Sequence, residues 1–352
     1  MTDPRPSHIL SSISSKLQRD TFIWSNTYPS HLIIGINQRL TPVSSALIKR
    51  WTQDIMQASW KEFHLCPVEV RTCGVLTYGI LPTGPEIPML STDALPPGDY
   101  GWYFAEPKKK SPILMVEMQS FKATQSTHIQ DFLNGRRLTD PQDIFDVPPS
   151  IQTQVFQRDE NCCLFTGSVP RELTKVTWIV PPYFAWMAFP TSSQRETAGL
   201  SSRELEKSSN AVLMHKQLIP FFNDNAFSVD IDDNYHIVIF REMGSARSLL
   251  PTHMPPREHD PQFETFLRAH FHSSIRSTIF HGDIRNEYST STILRMMEEL
   301  GVGVEDDGDD VAPMDDPRWQ TMLGKEIWEE VIRWRIANTD IGYDSEEYDE
   351  EG

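Results

Sequence analysis

Apolar positions along this chain change period several times, and each change marks an element. Thr21 to Trp24 and His31 to Asn37 are short β-prone runs, and Val68 to Ile80 alternates well enough for one or two strands. Between them Thr41 followed by Pro42 reads as a helix start, with Leu47, Trp51 and Ile55 recurring at four-residue steps on one face. Trp102 to Ala105 and Ile113 to Met118 predict a hairpin around a basic, proline-bounded turn at Lys108 to Lys110, after connections rich in Pro and Gly.

The second half begins with a linker over Thr139 to Ser150 and a helix over Pro149 to Arg158. RDENCCLFTG, Arg158 to Gly167, reads as a charged helix end leading into a short strand, and WIVPP, Trp178 to Pro182, closes the second strand of that hairpin. A surface insertion rich in Ser, Thr and Glu follows from Phe189 to Asn210. A helix is then predicted from Asn210 to Phe222, with Val212, Leu213, Leu218, Ile219 and Phe222 apolar. Ala226 to Ile231 and Tyr235 to Phe240 predict a hairpin about an Asp232, Asp233, Asn234 turn. Phe263, Phe266, Leu267, His270, Phe271 and Ile275 give the clearest amphipathic helix, and Ser289 to Leu300 another, stopped by Gly301. From Pro317 to Ala337 a helix is predicted with Trp319, Leu323, Ile327, Val331 and Trp334 on one face.

Composition changes this picture mainly at the C-terminal end. The 352 residues carry a formal net charge of −17 and are 39% hydrophobic, enough for sizeable cores. From Glu305 to Gly352 there are 17 acidic and 4 basic residues, so most of the excess charge is segregated there. The acidity that opposes affinity for a polyanion therefore belongs to the tail. Lys108 to Lys110 and Arg136 with Arg137 are short basic clusters that read as solvated surface. No run approaches the ~20 apolar residues that span a bilayer, and the N-terminal residues lack a signal-peptide core, so no membrane association is expected. The four cysteines, Cys66, Cys73, Cys162 and Cys163, form no CxxC pair, which favours an intracellular, reducing setting.

The search for chemistry is mostly exclusion. There is no Gly-rich phosphate loop, no G-x-S-x-G elbow and no internal repeat. Asp230, Asp232 and Asn234 imitate the start of a calcium loop, but Tyr235 replaces the needed glycine and Arg241 the bidentate glutamate, so a turn is expected. His270 lies on an apolar helix face and His272 does not, which argues against a zinc site shared with His281 and for a hydrogen-bonded core histidine.

One stretch says more. R-D-x-x-C-C-x-x-T-G, x-I-x-P-P, N-A-x-L, F-F-x-x-N-A-F-x-V-D and D-D-N-Y-x-I-V-x-F follow one another between Arg158 and Phe240, roughly a quarter to a third of the chain. This linked series resembles the HNH endonuclease domain, in particular the version carried by many fungal proteins of unknown role. The resemblance implies a divalent metal between a hairpin and a helix, a histidine at the end of the second strand that activates water, and a helix residue that helps hold the metal. Phosphodiester cleavage needs such a base and such a cation.

At those positions the chain departs from the family. Trp178 stands where the family has its base histidine, Ile219 where it has its second histidine, and Asn223 where an aspartate is common. An indole accepts no proton at neutral pH, and an aliphatic side chain supplies no ligand. Asn210 matches the family's asparagine, which orients the base or the hairpin loop; from the residues alone it reads as a helix N-cap. His215, four residues before Ile219, is the one nearby imidazole and a weak candidate ligand for a displaced site.

The expected fold class is α+β: an N-terminal α+β unit followed by an HNH-like ββα-metal domain with a helical C-terminal extension. The expected divisions are a flexible residues 1–20, an α+β domain at 21–140, the HNH-like domain at 141–303 and an acidic tail with one amphipathic helix at 304–352. The expected function is an HNH-like protein without hydrolytic activity that binds or scaffolds. One alternative is a metal-dependent endonuclease using displaced residues with magnesium or zinc. Another is a protein-interaction module run by the tail. The corresponding partners are nucleic acid through the HNH-like domain or a protein through residues 317–337.

Overall fold

In a computed structural model, which describes residues 8–56, 63–104, 145–184, 205–255, 261–280, 282–302 and 311–339, the protein is α+β. Five strands build the N-terminal sheet: β1 (Thr21–Ser25), β2 (Leu32–Ile36), β3 (Phe63–Gly74), β4 (Thr77–Pro82) and β5 (Gly98–Phe104). Their order is β2-β1-β5-β3-β4, with β1 and β5 parallel and the other neighbours antiparallel. The two-residue period sorts the side chains onto two buried faces. Ile23, Ile34, Ile36, Phe63, Leu65, Tyr100 and Trp102 enter one core, whereas Phe22, Trp24, Val68, Val70 and Tyr78 enter another.

Helices cover both faces. On the first lie α2 (Ser45–Met56), through Ile48, Trp51 and Ile55, and the later half of α5 (Pro261–Thr278), through Phe271 and Ile275. On the second lie Ile9 and Leu10, just before α1 (Ser12–Lys16), together with α6 (Thr290–Glu299) and α7 (Met322–Thr339), and Trp319, Leu323 and Ile327 are buried with Phe22, Trp24 and Tyr78. Helix α6 is capped by Ser289, whose hydroxyl accepts from Thr292 N. Gly324 is required where α7 turns against the preceding segment, because a Cβ there would lie 2.1 Å from the Arg318 carbonyl oxygen.

The remaining elements are α3 (Pro149–Arg158), β6 (Cys162–Cys163), β7 (Gly167–Ser168), β8 (Thr174–Trp178), β9 (Ala211–His215), α4 (Ile219–Asn223), β10 (Phe227–Asp230) and β11 (His236–Ile239). Their core holds Phe165, Phe184, Phe222, Phe227 and Val229, closed by Phe263, Phe266 and Leu267 from the first half of α5. Helix α5 therefore serves two cores, one from each half of the chain.

Several expectations are corrected. Residues 8–20, read as part of a flexible end, are packed: Ser11 caps α1, and Arg19, 4% exposed, donates to the Thr278 carbonyl. Thr41 does not start α2; its hydroxyl donates to the Ile239 carbonyl, and Ser44 Oγ accepts from Leu47 N instead. The strand at Trp102 sits between β1 and β3. Its expected partner at 113–118, the boundary near 140 and residues 189–204 of the insertion expected from Phe189 to Asn210 lie outside the described residues. The strand in RDENCCLFTG pairs with Gly167–Ser168, while the strand ending at Trp178 pairs with β9. The long helix from Asn210 is replaced by β9 and the short α4, because Val212, Leu213 and Met214 are all buried in an extended ribbon.

Candidate functional site

The short motifs of the Arg158 to Phe240 stretch are joined by hydrogen bonds. Arg158 lies at the end of α3 and holds Asp159 through two nitrogens, at 2.6 and 2.9 Å, while also donating to the Ser208 and Ala211 carbonyls. Asp159 Oδ2 accepts from Leu213 N at 3.0 Å, and Cys163 Sγ accepts from His215 N at 3.2 Å. Leu164 N donates to the Leu213 carbonyl. The R-D and C-C words thus grip β9 along its length.

Asn210 sits at the mouth of the ribbon and is fully buried. Its Nδ2 donates to the Val180 and Leu205 carbonyls at 2.7 and 2.8 Å, and its Oδ1 accepts from Val180 N at 3.0 Å. It caps no α-helix. Instead its amide crosslinks the chain leaving β8 to the chain entering β9, which uses most of its hydrogen-bonding capacity.

The β8–β9 ribbon has two buried faces. Val176, Trp178, Ala211 and Leu213 pack against Val147, Ile151 and Val155, the last two from α3. Val212 and Met214 join Leu218 and Phe222 in the core on the other side, against which Ile219 is half-buried. Trp178 is 2% exposed, and its indole N–H donates to the Asp146 carbonyl at 3.2 Å. Trp178 and Ile219 consequently occupy opposite faces of the ribbon and do not converge.

His215 is not on a helix with Ile219. It ends β9 opposite Thr174, and its Nδ1 accepts from Gln217 N at 3.3 Å. Asn223, at the last position of α4, is half-buried. Among the described residues no three His, Cys, Asp or Glu side chains gather as a metal-ligand group.

The neighbourhood is held by a histidine and an aspartate. His270 Nε2 lies 3.1 Å from the Phe222 carbonyl, so that nitrogen carries the proton, and Nδ1 accepts from Ser228 Oγ at 2.7 Å. Its ring stacks on Phe222 with centroids 3.7 Å apart. Burial drives its pKa down to about 3 against the raising effect of the Phe222 hydrogen bond. Asp230, read as the start of a calcium-loop imitation, is bound by both Arg50 terminal nitrogens at 3.1 and 2.5 Å and by Trp51 Nε1 at 3.1 Å. Its turn is closed by Asn234 and Tyr235, both at positive φ.

No family model, no curated protein and no solved structure matches this chain.

Proposed function

We propose that the stretch from α3 to β11 is an HNH-like ββα unit whose hydrolytic centre has been replaced by core, and that the protein acts by binding or scaffolding. The order β8, β9, α4 supports the HNH-like reading, as does the way the R-D, C-C and Asn210 words hold β9 in place. The observation that carries the loss of hydrolysis is Trp178. Its ring is buried against α3, its one polar hydrogen is committed to Asp146, and it faces away from Ile219. A buried indole activates no water, and a half-buried isoleucine holds no cation.

The test is nicking of supercoiled plasmid by the full chain with magnesium, manganese, nickel or zinc. No cleavage above a chelator-treated control is expected. Metal-dependent nicking that EDTA abolishes, and that elutes with the protein, overturns the reading.

A second reading has its own observation. Trp334 and Ile336 near the end of α7 are 64% and 63% exposed, although Trp319, Leu323 and Ile327 of the same segment are core. Large exposed apolar side chains near the end of a helix suit a protein partner. Trp334→Asp should abolish capture of such a partner while leaving stability within about 0.5 kcal/mol of the parent. Retained capture removes this reading.

A further inference from the structure

His236 opens β11, and His253 lies on the segment that returns beside it. Ile237 N donates to the Thr252 carbonyl and Met254 N to the Tyr235 carbonyl, both at 2.9 Å. These two bonds flank the His236–His253 pair without joining it, which makes it the non-hydrogen-bonded kind of antiparallel pair, with side chains closest and on one face. The two imidazole centroids are 5.2 Å apart with the rings tilted by 42°. His236 is half-buried and His253 exposed, so both are reachable from solvent.

That spacing has a chemical meaning. Two imidazoles held tetrahedrally on one ion, with nitrogens about 2.0–2.1 Å from it and ring centres about 1.1 Å further, have centroids separated by about 5.2 Å. Asp233 Oδ2 lies 3.4 Å from His236 Nδ1. A carboxylate there favours a proton on Nδ1 and leaves Nε2 available, the arrangement by which outer carboxylates orient ligand histidines. Asp232, paired with Arg268, adds a second carboxylate to this turn. Imidazole nitrogen selects transition ions over magnesium.

We propose that His236 and His253 form a two-nitrogen chelate for a divalent transition ion such as zinc, nickel or copper, with Asp233 orienting His236. Among the described residues no third His, Cys, Asp or Glu completes a ligand group. This site is separate from the β8–β9–α4 unit's Trp178 and Ile219 and does not depend on its reading.

The test uses the full chain. Calorimetric titration with zinc and with nickel at neutral pH should show a site that His253→Ala and His236→Ala each weaken at least tenfold, and Asp233→Asn by several-fold. Magnesium should give no corresponding heat. With one equivalent of copper, electron paramagnetic resonance should report two coupled imidazole nitrogens in the parent and fewer in His253→Ala. The exposed position of His253 keeps that variant folded, which thermal melting checks. Identical zinc and nickel isotherms and identical copper spectra for the parent and His253→Ala overturn the proposal.

Discussion

Asn210 shows at the scale of one residue what the short motifs between Arg158 and Phe240 do in this chain. Three hydrogen bonds from one buried amide fix Val180 and Leu205. Asn210→Ala leaves a buried N–H and two buried carbonyls short of partners, and at about 1–3 kcal/mol for a group left unsatisfied the expected loss is roughly 2–4 kcal/mol in urea unfolding. His270 makes a different prediction. Its folded pKa of about 3 lies below the ordinary 6.5, so as pH falls the unfolded chain binds the proton first. Stability is unaffected by this group above about pH 6.5 and declines from there toward pH 3, by about 1.4 kcal/mol per pH unit once well below 6.5. His8, lowered to about 4 by burial, acts in the same direction over a narrower window. Melting temperatures that stay flat from pH 7 to pH 5 would contradict a neutral, buried His270. Much of this was legible in sequence: the apolar spacing around His270 put it in a core, and Asn210 stood out by its place in a word. Its three partners were not, since Val180 and Leu205 meet it only when β8 and β9 pair.

At the scale of elements, the ribbon explains why a helix is expected from Asn210 and a strand is found. A strand with one buried face alternates, but β9 is buried on both, between α3 and α4, so Ala211 to Met214 reads as an unbroken apolar run. Periodicity alone does not separate such a run from a helix. The hairpin of β10 and β11, half turned to the surface at its tip, kept its turn signal and matches the expected position within about two residues. The His236–His253 pair carries no recognisable spacing, because the chain makes a wide loop before returning. Between α2 and β10 the contact is ionic. Asp230 is 2% exposed while the Arg50 side chain keeps 29%, so Asp230→Ala removes a buried anchor and should cost about 3 kcal/mol, less than for a pair buried on both sides. A change below about 0.5 kcal/mol in chemical denaturation would show that Arg50 and Trp51 do not depend on it.

At the scale of the molecule, the N-terminal sheet and the later elements share α5, and the sheet's second face is closed by α7. The acidic segment thus precedes a helix that belongs to the fold. Removing residues 311–352 uncovers Phe22, Trp24 and Tyr78, and with Trp319, Leu323 and Ile327 lost the expected destabilisation is on the order of 5 kcal/mol, with uptake of an apolar dye. A truncated chain that melts like the parent would contradict this. The amphipathic pattern of that helix was plain in sequence, but which turns are covered depended on a sheet more than two hundred residues earlier; Trp334, placed on the same stripe as Trp319, extends past it. The central claim is the proposal that Trp178, the position the HNH-like reading assigns to the base, is a core side chain. Equilibrium urea unfolding of Trp178→Ala measures this most directly: a loss of about 3–5 kcal/mol is predicted for a buried indole, whereas a loss below about 1 kcal/mol with the fold retained would mean that Trp178 lines an accessible cleft.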